Sequence, residues 1–217
     1  MSPPRTIGST EPRTPRYTAQ QILDSIKQAG YVAFEAETPY DLNLFGIRTE
    51  DATVNTFNDW VGCVYRDARM LWHCDYWPAT TDPGLYWLEN PSNVDGTAVL
   101  VPGQYRGVYK RDLHSGKYLA LCQRNGPVDV WRDDDRDGVI DPDKSQVYSG
   151  FFGINLHHAS YDGTSTQVNK WSAGCQVIAN ISNFNKMMDL SARQIEYHPT
   201  WTAFTYTLLT EDQILPR

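Results

Sequence analysis

The sequence predicts one domain, mainly β with a few short helices (α+β), and three observations carry that expectation. Of 217 residues, 41% are hydrophobic and 12% aromatic, enough to fill one substantial core. Between Tyr31 and about Val130, short alternating or β-branched runs follow one another between turn residues. Only one segment, near the N-terminus, joins a clear helical period to both a start and a stop signal.

Taken in order, residues 1–16 are rich in Pro, Ser, Thr and Arg and read as an extended arm, which leaves 17–217 as the domain. Thr18 and Gln21 form a capping box, Ile22, Ile26 and Ala29 share a face, and Gly30 supplies the stop, so Ala19 to Ala29 is a predicted helix. The runs YVAF, LNLFGI, WVGCVY, MLWHC, GLYWL, TAVLV, YRGVY and KYLALC then read as strands. A hairpin turning at Arg66 to Arg69 would set Cys63 opposite Trp72 and Cys74 opposite Val61, both cysteines on the apolar face. GINLH reads as a strand delivering His157 to its end, and WSAGCQVI as a turn entering another apolar run. Ser182 is expected to cap a short helix burying Phe184, Met187 and Met188, and WTAFTYTLL to be a strand with large residues on both faces.

Charge and composition exclude several functions. A net charge of −7 and a pI near 5.1 provide no basic field for nucleic acid or an anionic membrane surface. No stretch is long and apolar enough for a membrane span, and the basic N-terminal residues have no apolar run behind them, which predicts no signal peptide and synthesis in the cytoplasm. Cysteines 63, 74, 122 and 175 form no CxxC pair and fit reduced thiols better than a disulfide framework.

The stretch GINLHHASYDGTSTQVNKWSAGC concentrates the candidate chemistry. It places His157 and His158 at a strand end and Cys175 behind the small residues Ala173 and Gly174. A thiol nucleophile needs a base within reach and N–H donors aimed at the oxyanion, and two strand ends meeting here would supply both. On spacing alone, a buried cysteine beside unrelated loop histidines fits equally well. Activation by His157 predicts a Cys175 thiol more acidic than a free one.

The same residues resemble the active-site motif of L,D-transpeptidase (YkuD-like) catalytic domains, in which a histidine after a strand is followed by Ser/Thr-His-Gly-Cys. Fourteen residues separate His157 from Ser172, and Ser172-Ala173-Gly174-Cys175 fills the second half. PATTDPGLYWL is similar to the Pro/Thr/Gly turn before a strand in that family, and GTAVLVPGQYR, RDDDRDG, FGINLHH and WSAGCQV together resemble uncharacterised bacteriophage-encoded proteins. The resemblance implies a β-sandwich or mixed-sheet architecture with Cys175 as nucleophile and His157 as base. It also implies that the N–H groups of Gly174 and Cys175 form part of the oxyanion hole, with Ser172 and His158 beside them. The substrates implied are peptidoglycan stem peptides, reached at the bacterial cell wall by a phage or virion-associated protein whose partners include phage particle proteins, with no cofactor required for catalysis. Ala173 stands where the family has its second histidine, His158 where a small or hydroxyl residue is usual, and Val177 where many members have arginine, so transfer and hydrolysis both stay open.

A second signature is VWRDDDRDGVIDPDK. Asp133, Asp135, Asp137, Gly138 and Asp141 occupy positions one, three, five, six and nine of an EF-hand-like loop, a pattern that suits a structural Ca²⁺, although position twelve is Lys144. A solvated acidic turn is the competing reading. His73 and His114, in probable hairpins, read as surface or hydrogen-bond-satisfied residues rather than ligands, and His198 as a turn residue, while Trp131, Trp171 and Tyr105 are candidates for a groove. Two alternatives to the cysteine enzyme remain: a non-catalytic phage particle or wall-binding module, and a zinc-dependent amidase using His157, His158 and Cys175.

Overall fold

The computed structural model describes residues 17–216, and the predicted arm over 1–16 lies outside them. In chain order the elements are α1 (Ala19–Gln28), β1 (Asn43–Arg48), β2 (Asp59–Arg66), β3 (Trp72–Thr80), α2 (Leu85–Glu89), β4 (Thr97–Leu100), β5 (Gly103–His114) and β6 (Tyr118–Gln123). They continue with β7 (Val128–Asp133), β8 (Tyr148–Gly150), β9 (Leu156–His158), β10 (Gln176–Ile178), α3 (Ile181–Tyr197) and β11 (Ala203–Thr210). The fold is mainly β with short helices. Eight strands close into a barrel in the order β1-β11-β5-β6-β9-β10-β3-β2, and β4-β7-β8 form a separate sheet. The barrel sheet is mixed, with β1–β11 and β9–β10 parallel and the other pairs antiparallel. Its closure on itself takes the place of the sandwich that the family resemblance implies, and it removes the free edges that an open sheet would leave unpaired.

The local signals in α1 act as read. The Gln21 N–H donates to the Thr18 hydroxyl at 3.1 Å, the Thr18 N–H donates to the Gln21 side chain at 3.4 Å, and Gly30 sits at φ +84° just past the end. Ile22, Leu23 and Ile26 bury against Phe45, Ile47, Val64 and Leu209 on the outer surface of the barrel. The main core gathers Leu44, Val61, Cys63, Tyr109, Leu121, Leu156 and Tyr206 with Phe184, Met187 and Met188 of α3.

Four expectations are corrected. YVAF is extended but belongs to no strand, because side-chain amides satisfy its backbone: Gln104 bonds both the N–H and the carbonyl of Val32, and Asn43 does the same for Phe34. GLYWL is the short helix α2 rather than a strand, a case where a brief apolar run has no period to decide between the two. In the β2–β3 hairpin the loop spans Asp67 to Leu71, so Cys63 faces Asp75 and Val64 faces Cys74. A register shift of three residues is odd and therefore flips one strand: Cys63 enters the main core while Cys74 packs under α1. Finally, α3 runs seventeen residues and is capped by Asn180, whose side chain accepts from the Ser182 and Asn183 N–H groups, not by Ser182.

Arg48 fastens the barrel to the smaller sheet. Its guanidinium pairs with Asp82 at 2.9 Å and donates to the Leu100 carbonyl at 2.9 Å and the Thr81 carbonyl at 2.8 Å. Beneath it, Asp59 accepts from the Thr49 and Thr81 N–H groups and the Thr81 hydroxyl, each at 2.8 Å. Burial, then the charge of Asp82, pushes the Asp59 carboxyl up to about 6. None of the described helices is long and apolar enough to cross a membrane.

Candidate active site

The two halves of the Cys/His segment do meet. β9 and β10 pair in parallel with Gln176 against Leu156 and Val177 against His157, and the Gln176 N–H donates to the Asn155 carbonyl at 2.9 Å. Alternation then sets Cys175 beside Asn155 on the face that carries His157. The Cys175 sulfur receives the Asn155 N–H at 3.4 Å and donates its S–H to the Gly153 carbonyl at 3.4 Å.

The turn holding Cys175 is fixed from within. The Ser172 hydroxyl is fully buried, donates to the Cys175 carbonyl at 2.8 Å and accepts the Gly174 N–H at 3.2 Å. Gly174 adopts φ +115°, and a Cβ there would lie 2.5 Å from the Ala98 carbonyl oxygen on β4, so only glycine fits. The helix α2 pins the same loop from outside: the Gly84 N–H at its start donates to the Ser172 carbonyl at 2.9 Å, and the Trp87 indole N–H to the Lys170 carbonyl at 3.1 Å. The expected oxyanion hole is thereby halved. The Gly174 N–H is engaged by Ser172, whereas no described residue accepts from the Cys175 N–H.

His157 is 3% exposed, and its Nδ1–H donates to the His158 carbonyl at 2.8 Å, which leaves Nε2 as the basic nitrogen. Its ring stacks on His114 with centroids 4.2 Å apart. Burial, then His114, drives the His157 imidazole down to about 3, so it is neutral at ordinary pH. His158 is separated from it. Its ring packs against Tyr118, Tyr161 and Phe184 at 4.2, 4.7 and 5.0 Å, and its Nδ1–H is shared between the Ala159 and Ser160 carbonyls. What orients His157 is the backbone of His158, not its imidazole.

Sequence reasoning missed two members of the site. Asn155 accepts the Gln123 N–H at 2.8 Å through its side-chain oxygen and donates from its amide nitrogen to His114 Nδ1 at 3.1 Å. One residue thus joins the thiol, through its own N–H, to the second histidine. His114 is a half-buried, hydrogen-bonded residue of the kind expected, but its stacking on His157 lies beyond that expectation. Nothing local marks either residue, because only the β5–β6 hairpin brings His114 beside β9.

In the free protein the partly exposed Cys175 thiol does not show the acidity that activation by His157 implies. Burial pushes Cys175 up to about 11, only partly offset by the Asn155 N–H, and no histidine is hydrogen-bonded to its sulfur. The free site therefore holds a neutral thiol and a neutral imidazole. A zinc centre is not assembled either, since among the described residues the one group of three or more potential ligands with atoms within 4.8 Å of one another is Asp135, Asp137 and Asp141.

Those three aspartates are exposed, and Asp133 behind them is 2% exposed. One Asp133 oxygen accepts the Asp141 N–H at 3.0 Å. Burial, followed by the charges of Asp135, Asp141 and Asp137, pushes its carboxyl up to about 6. The three groove aromatics do not gather: Tyr105 is buried with its hydroxyl bonded to the Asp129 carbonyl at 3.2 Å, Trp171 is exposed, and Trp131 lines a separate cavity of about 170 Å³ with Arg48 and Asp82. No family model matches the chain, and no curated protein or solved structure matches it either.

Proposed function

We propose that the protein is a cysteine acyltransferase or peptidase of L,D-transpeptidase type that acts on peptidoglycan stem peptides, made in a bacteriophage setting and used at the bacterial cell wall. The single observation that supports this reading is the parallel register of β9 and β10, which puts the Cys175 thiol and the neutral, Nε2-basic His157 on one face at adjoining strand ends. In the proposed reaction the Cys175 sulfur attacks a stem-peptide carbonyl while its proton passes to His157 Nε2. The oxyanion takes the uncommitted Cys175 N–H. Collapse to a thioester expels the amine, which leaves with the proton held by His157, and an acceptor amine or water then releases the acyl group and restores the thiol.

A second reading, a non-catalytic phage particle module that binds cell wall or other particle proteins, is favoured by the thiol raised to about 11 and by Ala173 in place of the family's second histidine. Incubating the reduced protein with tetrapeptide and pentapeptide stems and reading intact mass separates the two. The enzyme gives an acyl adduct and a shortened product, Cys175→Ser gives neither, and His157→Ala lowers turnover by ~10² to 10⁴. A folded, reduced wild type with no adduct and no product, which still binds sacculi after Cys175→Ser, makes it the module.

A further inference from the structure

Asp133 at the end of β7 and Asp135, Asp137 and Asp141 in the connection to β8 carry charge that no described basic side chain neutralises. Asp135, Asp137 and Asp141 bring one carboxylate oxygen each to within 4.8 Å of the others. Among the described residues none of the three pairs with Lys, Arg or His, although such pairs form elsewhere in the molecule. Lys144, the natural candidate for neutralising them, places its ammonium 5.4 Å from the Trp131 ring centre instead.

An independent observation points into the same place. Asp133, at the end of β7, is 2% exposed, yet its Oδ1 has no hydrogen-bond partner. The other oxygen accepts the Asp141 N–H at 3.0 Å, so the carboxylate is turned toward the loop, where Asp135, Asp141 and Asp137 act on it electrostatically. A buried carboxylate oxygen without a donor is costly, and three further carboxylates raise that cost unless a cation is the missing partner.

We infer that Asp135, Asp137 and Asp141 form a Ca²⁺ site and that Asp133, which lies outside their 4.8 Å group but is held to Asp141 through its other oxygen, closes its unpartnered oxygen onto the ion as its buried ligand. The donors are all oxygen and lie mostly in an irregular loop, which suits the larger and less geometrically strict Ca²⁺ over Mg²⁺. With no bidentate carboxylate at Lys144, water completes the shell and affinity belongs to the weak class, Kd ~10⁻⁴ to 10⁻³ M. The ion would tie the end of β7 to the loop, and β7 pairs with β4, the strand on which Gly174 rests, Thr97 standing opposite Asp133.

Calorimetric titration of the full chain with CaCl₂, and melting with and without chelator, test the site. Calcium at about thirty times Kd is expected to raise Tm by roughly 4–8 °C. Asp133→Asn keeps the shape and the acceptor for the Asp141 N–H but removes the charge. It should lower affinity at least tenfold while leaving the calcium-free Tm equal to or above wild type, a sign that a merely structural carboxylate would not give. The exposed Asp137→Asn should also weaken binding, and Asp143→Asn, outside the set, should not. No heat and no Tm shift at 10 mM calcium, or binding that survives both Asp133→Asn and Asp137→Asn, overturns the site; equal binding of magnesium overturns its assignment to calcium.

Discussion

The Cys175 turn and the Asp133 to Asp141 loop both begin or end at the short strands, and both bring polar groups together, but by opposite means. Around Cys175 every group is neutral and nearly every one is wired: Ser172 serves two backbone groups, Asn155 serves four partners, and His157 gives its one N–H to a carbonyl. The acidic loop concentrates charge near solvent and leaves its buried member, Asp133, with an empty-handed oxygen. The difference shows how burial sets protonation. Desolvation, helped at His157 by His114, keeps a thiol and an imidazole uncharged, whereas carboxylates crowded together near solvent call for a counter-ion.

Protonation gives the largest way to break this contrast. His157 titrates at about 3 in the fold against 6.5 unfolded, so between those values the unfolded chain binds a proton that the folded one refuses. The stability this represents is complete above pH 6.5 and lost as pH falls toward 3, roughly 4–5 kcal/mol at the bottom. His114 and His158, also lowered by burial, act in the same direction. Urea denaturation across that range should show stability falling with acid, and His157→Gln should flatten the slope; a slope unchanged by the substitution would mean that His157 is solvated.

Next in size is the turn. Gly174→Ala must bear both a left-handed backbone and a methyl group 2.5 Å from the Ala98 carbonyl oxygen, and about 3 kcal/mol or more should disappear from the unfolding free energy. A loss under 1 kcal/mol would show that the turn can relax away from β4. The thiol follows. Raised to about 11 from 9.0, Cys175 in the free protein should alkylate roughly a hundredfold more slowly at pH 7 than an unperturbed cysteine, its rate climbing until the pH approaches 11. Labelling faster than a model thiol would instead reveal an ion pair with His157 and favour the enzyme reading. The smallest effect sits at the start of α3: Asn180→Ala removes the acceptor for two N–H groups and should cost about 1 kcal/mol in chemical denaturation.

How much was legible follows from the range of each interaction. The capping box of α1, the helical face Ile22 and Ile26, the alternating runs that became β1, β2, β4, β5 and β6, and the spacing of His157 from Cys175 are contacts or patterns within a few residues, or within one loop, and could be read directly. The α2 segment had too few residues to show a period. The β2–β3 register hung on a five-residue loop that composition did not specify, and Met70 with φ +65° takes a conformation no sequence rule would assign it. His114 and Asn155 entered the site only through pairing between distant strands, which has no local cause and so left no local trace.

What the sequence determined by itself was therefore the mainly β class, the one well-signalled helix, the chemical types in the Cys/His segment and the positions of the four loop aspartates. Only the tertiary structure decided that the strands close into a barrel, that Cys63 and Cys74 lie on opposite faces, and that His157 pairs with His114 while His158 joins the aromatics. The protonation of the site belongs to the second group as well. A side chain's type fixes which proton it can lose, but the water removed around Cys175, His157 and Asp133 fixes how readily it does so, and that depends on every strand that packs against them.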